Sequence, residues 1–280
     1  MTPTQAPPST SSSGQALPRA GAALSFPYVS VLQNAPALLG SRGYRRDWAS
    51  SVRAAVKRGI DVVFASLLLL AVSPIFAVLA IAIKLESPGP VFYRAPRVGY
   101  RGRALEMLKF RKMSKDATGL ALTAHADVRF TRIGAFLART KLDELPQLWN
   151  VLRGDMSVIG PRPEDPGFVI MHADEYADIL QIRPGMTGLS QIAFAEESRI
   201  LDEDDPVGHY VGRILPQKMT LDRMYARHYH LRIDLSILVW TSIAVLARRP
   251  IAVNRSTGSM RLRTRPADGA LLRGLGDTDR

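Results

Sequence analysis

A run of uncharged, mostly apolar residues dominates the hydropathy pattern of the chain. It covers residues 62–83 and reads VVFASLLLLAVSPIFAVLAIAI. As a helix it would be about 33 Å long, close to the hydrocarbon thickness of a bilayer. The pattern therefore predicts a membrane helix, and the alternative is an unusually long core helix of a soluble domain.

Two features of this run favour re-entry into the membrane over simple spanning. Ser73-Pro74 lies at its midpoint, and proline removes a backbone donor and kinks a helix. The Ser73 hydroxyl can bond to a carbonyl one turn back and stabilise the bend. Both flanks are basic, with Lys57 and Arg58 before the run and Lys84 after it, whereas a spanning helix concentrates positive charge on its cytoplasmic side. We therefore predict a helix–break–helix that enters the membrane and returns to the same, cytoplasmic face.

Shorter patterns predict the elements of a soluble part. An apolar run at residues 235–247 is too short to span a bilayer, so it predicts either a core helix or an interfacial helix. Alternating apolar residues between 91 and 107, with Gly and Tyr at residues 99–102, predict a β-hairpin. Apolar residues at helical spacing within 130–137 predict an amphipathic helix. The fold class is therefore α+β, mainly helical with a small β-hairpin element.

The most informative stretch, KLDELPQLWNVLRGDMSVIGPRP, covers residues 141–163. Its apolar spacing predicts a helix that begins near Asp143 and ends before Gly154, with Pro146 in the first turn. Asp143 and Glu144 then lie at the helix N-terminus. An acidic pair there either caps the helix and complements its dipole, or binds Mg²⁺ beside a phosphate, with one carboxylate as nucleophile. The residue types leave both interpretations open.

Basic residues near turns are candidate phosphate contacts. Arg162 lies between two prolines that restrict its backbone, and Arg183 begins a second Pro-Gly loop. Lys109 and Arg111 follow the predicted hairpin, where phosphate binding and attraction to anionic lipid both explain their charge. Two arginine loops beside an acidic helix start are typical of a site for a doubly phosphorylated ligand.

Composition narrows the class of partner and the extent of the working domain. Lys and Arg outnumber Asp and Glu by 37 to 25 among 280 residues, which favours an anionic partner such as nucleic acid, a membrane surface or a phosphorylated substrate. The absence of cysteine excludes disulfides, thiolate metal sites and a cysteine nucleophile. The composition of residues 1–47 predicts a disordered or loosely ordered extension, and that of residues 251–280 predicts a basic tail. The working domain is then residues 48–250.

The chain resembles a known family at these motifs: the monotopic polyprenyl-phosphate phosphoglycosyl transferases, also called bacterial sugar transferases. The resemblance covers about residues 57–246. Its motifs are Lys57-Arg58 with Asp61, Ser73-Pro74, Lys109-Phe110-Arg111, Leu142-Asp143-Glu144-Leu145-Pro146-Gln147, Gly154-Asp155-Met156-Ser157, Gly160-Pro161-Arg162-Pro163 and Arg183-Pro184-Gly185-Met186-Thr187-Gly188. Each motif is weak alone, but their order and spacing together are specific.

The resemblance implies a chemistry and a location. It implies a re-entrant helix broken at Ser73-Pro74 and a catalytic dyad of Asp143 and Glu144, with Asp143 as the nucleophile and a ligand of a Mg²⁺ cofactor. The donor would be a UDP-sugar and the acceptor polyprenyl phosphate, with release of UMP through a covalent Asp–phosphosugar intermediate. Such a reaction is the first membrane step of exopolysaccharide, O-antigen or related glycoconjugate synthesis, on the cytoplasmic face of the bacterial inner membrane. Phosphate contacts are expected from Lys109, Arg111, Arg139, Arg162 and Arg183.

Three rival functions are considered. A nucleic-acid-binding protein would explain the charge but not the apolar run, and no nucleic-acid motif is recognised. A non-enzymatic membrane scaffold would not explain the acidic pair beside arginine loops. A membrane nucleotide-sugar hydrolase is the nearest chemical rival, because water could resolve the same intermediate. We expect contact with anionic lipids and no nucleic-acid partner, and we also consider a homodimer.

Overall fold

The computed structural model describes residues 48–114, 117, 127–202, 204–247 and 249–263. The helices are α1 (Trp48–Glu86), α2 (Arg132–Thr140), α3 (Gln147–Arg153), α4 (Pro166–Met171), α5 (Ala173–Ile179), α6 (Leu189–Ala193), α7 (Glu197–Ile200), α8 (Pro206–His209), α9 (Leu215–His228) and α10 (Leu231–Leu246). The strands are β1 (Phe92–Val98), β2 (Ala104–Phe110), β3 (Ser157–Ile159), β4 (Gly185–Thr187), β5 (Ile251–Val253) and β6 (Met260–Leu262). This mainly helical fold with small sheets confirms the predicted class, and the predicted extension at residues 1–47 lies outside the described residues.

The predicted β-hairpin is confirmed. Strands β1 and β2 pair antiparallel, with Val98 opposite Ala104. Arg101, in the connecting turn, has a φ of 56°, a left-handed conformation that few non-glycine residues adopt. Leu105 and Met107 of β2 are buried in the main core cluster, so the alternation seen in the sequence corresponds to one buried face and one exposed face.

Helix α1 runs through Ser73 and Pro74 as one helix of 39 residues. Pro74 has no N–H to donate to the carbonyl of Leu70, one turn earlier. The Ser73 hydroxyl donates to that carbonyl instead, at 2.8 Å, which confirms the predicted hydroxyl bond. The helical backbone is not interrupted, so the predicted helix–break–helix is not confirmed.

Both ends of α1 contact the same folded part of the protein. Near its start, the Arg58 guanidinium donates to the carbonyls of Val151 and Leu152 at 2.6 and 2.9 Å. Towards its end, the ring of Phe76 packs on Phe110 at the end of β2, with centroids 4.9 Å apart. The helix therefore contacts the folded elements at Arg58, before its apolar run, and again at Phe76, in the second half of that run.

The outward face of α1 is apolar and exposed. Within the apolar run, the most exposed large residues are Val63, Leu67, Leu70, Val78 and Ile81, with 59 to 74% of their surface accessible. They recur at spacings of three and four residues, apart from one interval that contains Pro74, so they form one continuous face. Among the described residues α1 is the one helix long and apolar enough to cross a membrane. A contiguous apolar face of this kind indicates association with a membrane.

Helix α10, predicted as either a core helix or an interfacial helix, packs into the core along one face. Ile237 is fully buried, and Leu238 and Ile243 pack against the same core cluster. Leu235 and Val239 are 63% and 50% exposed. The helix is thus a core helix along one side and leaves an apolar surface on the other.

The predicted C-terminal tail differs from the structure over residues 251–263. Strands β5 and β6 pair antiparallel, with Ile251 opposite Leu262. Ile251 is buried in the main core cluster. Two three-residue strands are too short to show a period in the sequence, which explains the difference. Residues 264–280 lie outside the described residues.

Helix α9 joins the two largest core clusters. Leu221 and Tyr225 belong to the cluster beneath β3, whereas Leu215 and Met219 belong to a second cluster. This position fixes α9 under the loop that follows β3, where the candidate site lies.

Candidate active site

The acidic pair lies in a 3₁₀ turn, not at the start of an α-helix. Residues Leu142–Glu144 form this turn, and α3 begins only at Gln147, so the predicted helix start near Asp143 is wrong. The turn follows Lys141, whose φ of 61° ends α2. Pro146 cannot donate to the carbonyl of Leu142, which accepts from the N–H of Leu145 at 3.2 Å. The predicted end of the helix before Gly154 is confirmed.

Asp143 is buried beside a lysine. Its residue surface is 2% accessible, and its Oδ2 lies 3.3 Å from Nζ of Lys112. The residues at the N-cap positions of the turn and of α3 are Lys141 and Pro146, and neither makes a side-chain capping hydrogen bond. The acidic pair therefore does not occupy the N-cap position of either element.

Glu144 is the shared partner of two cations. Its Oε1 accepts from Nζ of Lys109 at 3.0 Å and from Nη2 of Arg162 at 3.2 Å. Burial alone would raise the pKa of Glu144, but the charges of Lys109 and Arg162 outweigh it and hold the pKa well below its usual range. Glu144 is therefore a carboxylate at neutral pH, and it fixes both cations.

Lys109 is a perturbed cation. Burial lowers the pKa of Lys109 to about 8, against the opposing charge of Glu144. Lys109 lies on β2, and the register of the hairpin points it toward the turn that carries Glu144. The hairpin and the turn together form one charged cluster.

The loop after β3 is held rigidly where it delivers Arg162. The N–H of Gly160 donates to the carbonyl of Thr187 at 2.9 Å, and the N–H of Gly185 donates to the carbonyl of Pro161 at 2.8 Å. The two glycine backbones approach so closely that a Cβ on Gly185 would collide with the nitrogen of Gly160. The close approach of these segments requires glycine and fixes the direction in which Arg162 leaves the loop.

Two buried ionisable residues of α9 support this loop, and the sequence analysis missed both. Asp222 lies beside the backbone N–H of Arg162 and the Ser190 hydroxyl, and both lower its pKa against the effect of burial. Lys218, one turn earlier, lies 3.7 Å from the carboxylate of Glu164. Both are about 4% exposed. Their spacing of four residues is also typical of a surface ion pair, so the sequence carries no signal that separates the two cases.

Asp222→Asn is expected to make stability less sensitive to pH. Burial raises the pKa of Asp222 from 3.8 to about 7, so the folded protein keeps a proton that the unfolded chain releases. The resulting stability is complete below pH 3.8 and is lost as the pH rises through about 7. Between about pH 5 and pH 8, the unfolding temperature of the variant should therefore fall less with rising pH than that of the unmodified protein.

Asp178→Asn is the control for this prediction. Asp178 also contacts α9, through Arg223 and Arg227, but those arginines lower its pKa. Its substitution should remove a contribution of the opposite sign, which is lost as the pH falls. Equal pH slopes for the unmodified protein and Asp222→Asn would contradict the assignment.

Three predicted phosphate contacts lie away from this cluster. The Arg111 guanidinium donates to the carbonyl of Ser87 at 2.8 Å, at the end of α1. Arg183 donates to the carbonyl of Gly154 at 3.0 Å, at the end of α3. Arg139 is exposed in the last turn of α2. The structure thus brings together Asp143, Glu144, Lys109 and Arg162 of the predicted set, with Lys112 added to it.

The two carboxylates can hold Mg²⁺ only together with other oxygen donors, such as substrate phosphates. In the described part of the chain, no three His, Cys, Asp or Glu residues form a metal-binding group. Mg²⁺ is commonly held by one or two carboxylates together with substrate phosphates and water. Asp143 has one oxygen, Oδ1, outside its ion pair, so this donor set fits such an ion when phosphate oxygens complete it.

The arrangement is suited to chemistry on a diphosphate. Three cations surround two carboxylates, which leaves one net positive charge for an anionic ligand. Buried carboxylates of this kind serve as nucleophiles in covalent phosphoryl transfer. Preorganised cations stabilise the charge that develops on a transferred phosphoryl group.

A family model described as "Bacterial sugar transferase" matches residues 52–248 of the chain. This range includes every residue of the charged cluster and nearly all of α1. The resemblance inferred from the motifs is therefore confirmed.

Several curated proteins are similar over the same region. The undecaprenyl-phosphate glucose phosphotransferase of Komagataeibacter xylinus is 38% identical over 66% of this chain and 35% of its own length. The UDP-glucose:undecaprenyl-phosphate glucose-1-phosphate transferase of Caulobacter vibrioides is 38% identical over 68% of this chain and 69% of its own. An N-acetylgalactosaminephosphotransferase of Aeromonas hydrophila, whose name specifies undecaprenyl phosphate, is 39% identical over 56% of this chain and 39% of its own length. The chain thus spans well under half the length of two of these relatives.

Proposed function

Because the chain belongs to the bacterial sugar transferase family, we propose that it transfers a sugar-1-phosphate from a UDP-sugar to undecaprenyl or another polyprenyl phosphate. The observation that carries the proposal is the buried Asp143 with its surrounding cations. Relatives whose names specify glucose and N-acetylgalactosamine share this region, so the family relationship does not determine the sugar. The product would begin a membrane-bound glycoconjugate such as an exopolysaccharide.

The proposed first step makes a covalent intermediate. A carboxylate oxygen of Asp143 attacks the β-phosphorus of the donor. The bond between that phosphorus and the bridging oxygen breaks, and UMP leaves with the electron pair. Lys109 and Arg162, positioned by Glu144, bind the diphosphate and stabilise the charge on its oxygens.

The proposed second step releases the product. An oxygen of polyprenyl phosphate attacks the same phosphorus, and the Asp143 carboxylate leaves unchanged. Mg²⁺, if held by Asp143 and phosphate oxygens, would add Lewis-acid charge stabilisation. The buried setting of Asp143 limits access of water, which favours transfer to lipid over hydrolysis.

The membrane arrangement that we propose is monotopic, on the cytoplasmic face of the bacterial inner membrane. Arg58, just before the apolar run, contacts α3, and Phe76, in the second half of the run, contacts β2. The Asn150 side chain joins α3 to β2, which supports both ends of α1 lying on one face. The exposed apolar face between them would enter the lipid and return. A soluble nucleotide sugar and a lipid phosphate could then reach the same carboxylate in turn.

Pro74→Leu is expected to change the topology of α1. Leucine restores the N–H that can bond to the Leu70 carbonyl, so the helix loses its weak point and gains a straight path across the bilayer. The chain has no native cysteine, so single-cysteine reporters at the exposed positions Val52 and Leu85 can be labelled with a membrane-impermeant maleimide. Both should react only from the cytoplasmic side in the parent chain.

In the Pro74→Leu chain we expect the Val52→Cys reporter to become reactive from the periplasmic side. Ile75→Leu, which keeps the proline, is the matched control and should behave as the parent does. If both flanks stay cytoplasmic with Pro74→Leu, Pro74 does not return the chain to the same face.

The proposed reaction is tested by UMP release from purified protein with Mg²⁺ and UDP-sugars. UDP-glucose and UDP-N-acetylgalactosamine lead the panel, each with and without polyprenyl phosphate. Release that requires the lipid and forms polyprenyl diphosphate-sugar supports the transferase. Equal release without lipid would instead identify a nucleotide-sugar hydrolase.

A further inference from the structure

Lys112 is the ion-pair partner of Asp143 in the described part of the chain. Its Nζ lies 3.3 Å from Asp143 Oδ2, and its side chain is 24% exposed while that of Asp143 is 3% exposed. The other two cations of the cluster, Lys109 and Arg162, form their ion pairs with Glu144. Two of the three cations therefore pair with Glu144, and the third, Lys112, pairs with Asp143.

The backbone at Lys112 is held firmly. Its carbonyl accepts from the N–H of Thr131 at 3.2 Å. A Cβ on Gly134 would collide with that carbonyl oxygen, so only glycine allows the start of α2 to pack so closely against Lys112. The position of Lys112 is thus fixed by two contacts that do not involve its charge.

The Lys112 side chain is also guided at its far end. Its ammonium group lies 5.5 Å from the ring centroid of Phe130, within the range of a cation–π interaction. Phe130 itself is placed by a bridge to Met113. The ammonium group is therefore held between an aromatic ring and the Asp143 carboxylate without needing a ligand.

We propose that Lys112 is a further catalytic residue, with two successive partners. Its ammonium group holds Oδ2 of Asp143 in the free protein and then pairs with oxygens of the phosphoryl group while that group is bound to Asp143. This inference rests on the proposed function.

The charge of Lys112 has two consequences. Without it, the buried Asp143 carboxylate would repel the incoming diphosphate, and the transferred phosphoryl group would lose a fixed cation. Loss of one preorganised group of this kind costs about 10²-fold in rate. In the absence of donor, the same ammonium group opposes a divalent cation at Asp143, because like charges a few ångströms apart repel.

The test uses Lys112→Met, Lys112→Arg and a control, Arg94→Met, in the full-length protein. Arg94 lies on the same hairpin in an exposed pair with Glu106, which contributes little to stability. Lys112→Met should lower kcat for UMP release about 10²-fold. Lys112→Arg should recover at least about tenfold of that loss, because it restores the charge. Arg94→Met should match the unmodified protein.

A second readout does not depend on turnover. Binding of Mn²⁺ alone, followed by electron paramagnetic resonance without donor, should be about tenfold tighter in Lys112→Met than in the unmodified protein. Asp143→Asn should abolish that gain. Thermal unfolding checks each variant, and Lys112→Gln replaces Lys112→Met if the latter does not fold.

The outcomes separate this inference from the proposed function. Absence of UMP release from the unmodified protein with every donor counts against the proposed function, and the Mn²⁺ measurement then decides on Lys112. Turnover and Mn²⁺ affinity in Lys112→Met equal to those of Arg94→Met would overturn the inference. Loss of turnover that Lys112→Arg does not recover at all would also overturn it, because the role assigned to Lys112 is its charge.

Discussion

Asp143→Asn is expected to lower the rate of UMP release by at least about 10³-fold. The amide is close in shape to the carboxylate but is a poor nucleophile, so the covalent step fails. The fold should persist, because asparagine keeps the size of a residue that contributes one ion pair, to the partly exposed Lys112. Turnover assays and thermal unfolding of the purified variant check both parts of the prediction.

Asp155→Asn is the matched control for this substitution. Asp155 lies beyond α3, and its side chain is 38% exposed and paired with Arg153. Its substitution should leave UMP release within a factor of about two, because exposed pairs contribute little. Activity of Asp143→Asn comparable to that of the control would remove Asp143 from the role of nucleophile.

Glu144→Gln is expected to reduce UMP release about 10²-fold and to destabilise the fold by about 1–3 kcal/mol. The substitution leaves Lys109 and Arg162 without the carboxylate that both contact. It also removes the charge that opposes the effect of burial on the pKa of Lys109, now about 8. The pKa of Lys109 should therefore fall further, and a larger fraction of Lys109 should lose its charge near neutral pH.

The pH dependence of Glu144→Gln distinguishes this account from simple damage to the fold. As the pH is lowered, Lys109 regains its proton, so the activity of the variant relative to the unmodified protein should rise. Glu106→Gln removes an exposed carboxylate of the same hairpin, 62% accessible and paired with Arg94, and should show no such recovery. A constant activity ratio across pH would mean that Glu144 does not act through Lys109.

The sequence predicted best those features that depend on local pattern. The hairpin follows from alternation and a Gly-containing turn, and the end of α3 follows from Gly154, whose φ of 89° favours glycine. The hydroxyl bond of Ser73 follows from the proline beside it. Each of these is set by residues within one or two turns of each other.

The sequence could not predict features that depend on distant partners. Lys112 meets Asp143 only because the end of the hairpin and the turn after α2 are packed together. The sequence marks Lys112 only as a third basic residue, next to Arg111 and close to Lys109. Arg183 looked equivalent to Arg162, yet one binds the end of α3 and the other binds Glu144. The helix start near Asp143 was wrong because the left-handed backbone at Lys141 has no signature in a lysine side chain.

The most direct test of the central claim is to trap the covalent intermediate. The purified protein would be mixed with a UDP-sugar that carries a radiolabel in the sugar, with polyprenyl phosphate left out. The account predicts label bound to the unmodified protein, absent from Asp143→Asn, and discharged to lipid when polyprenyl phosphate is added. Formation of labelled lipid product by a protein that never carries label would contradict the account, because transfer would then pass directly from donor to acceptor.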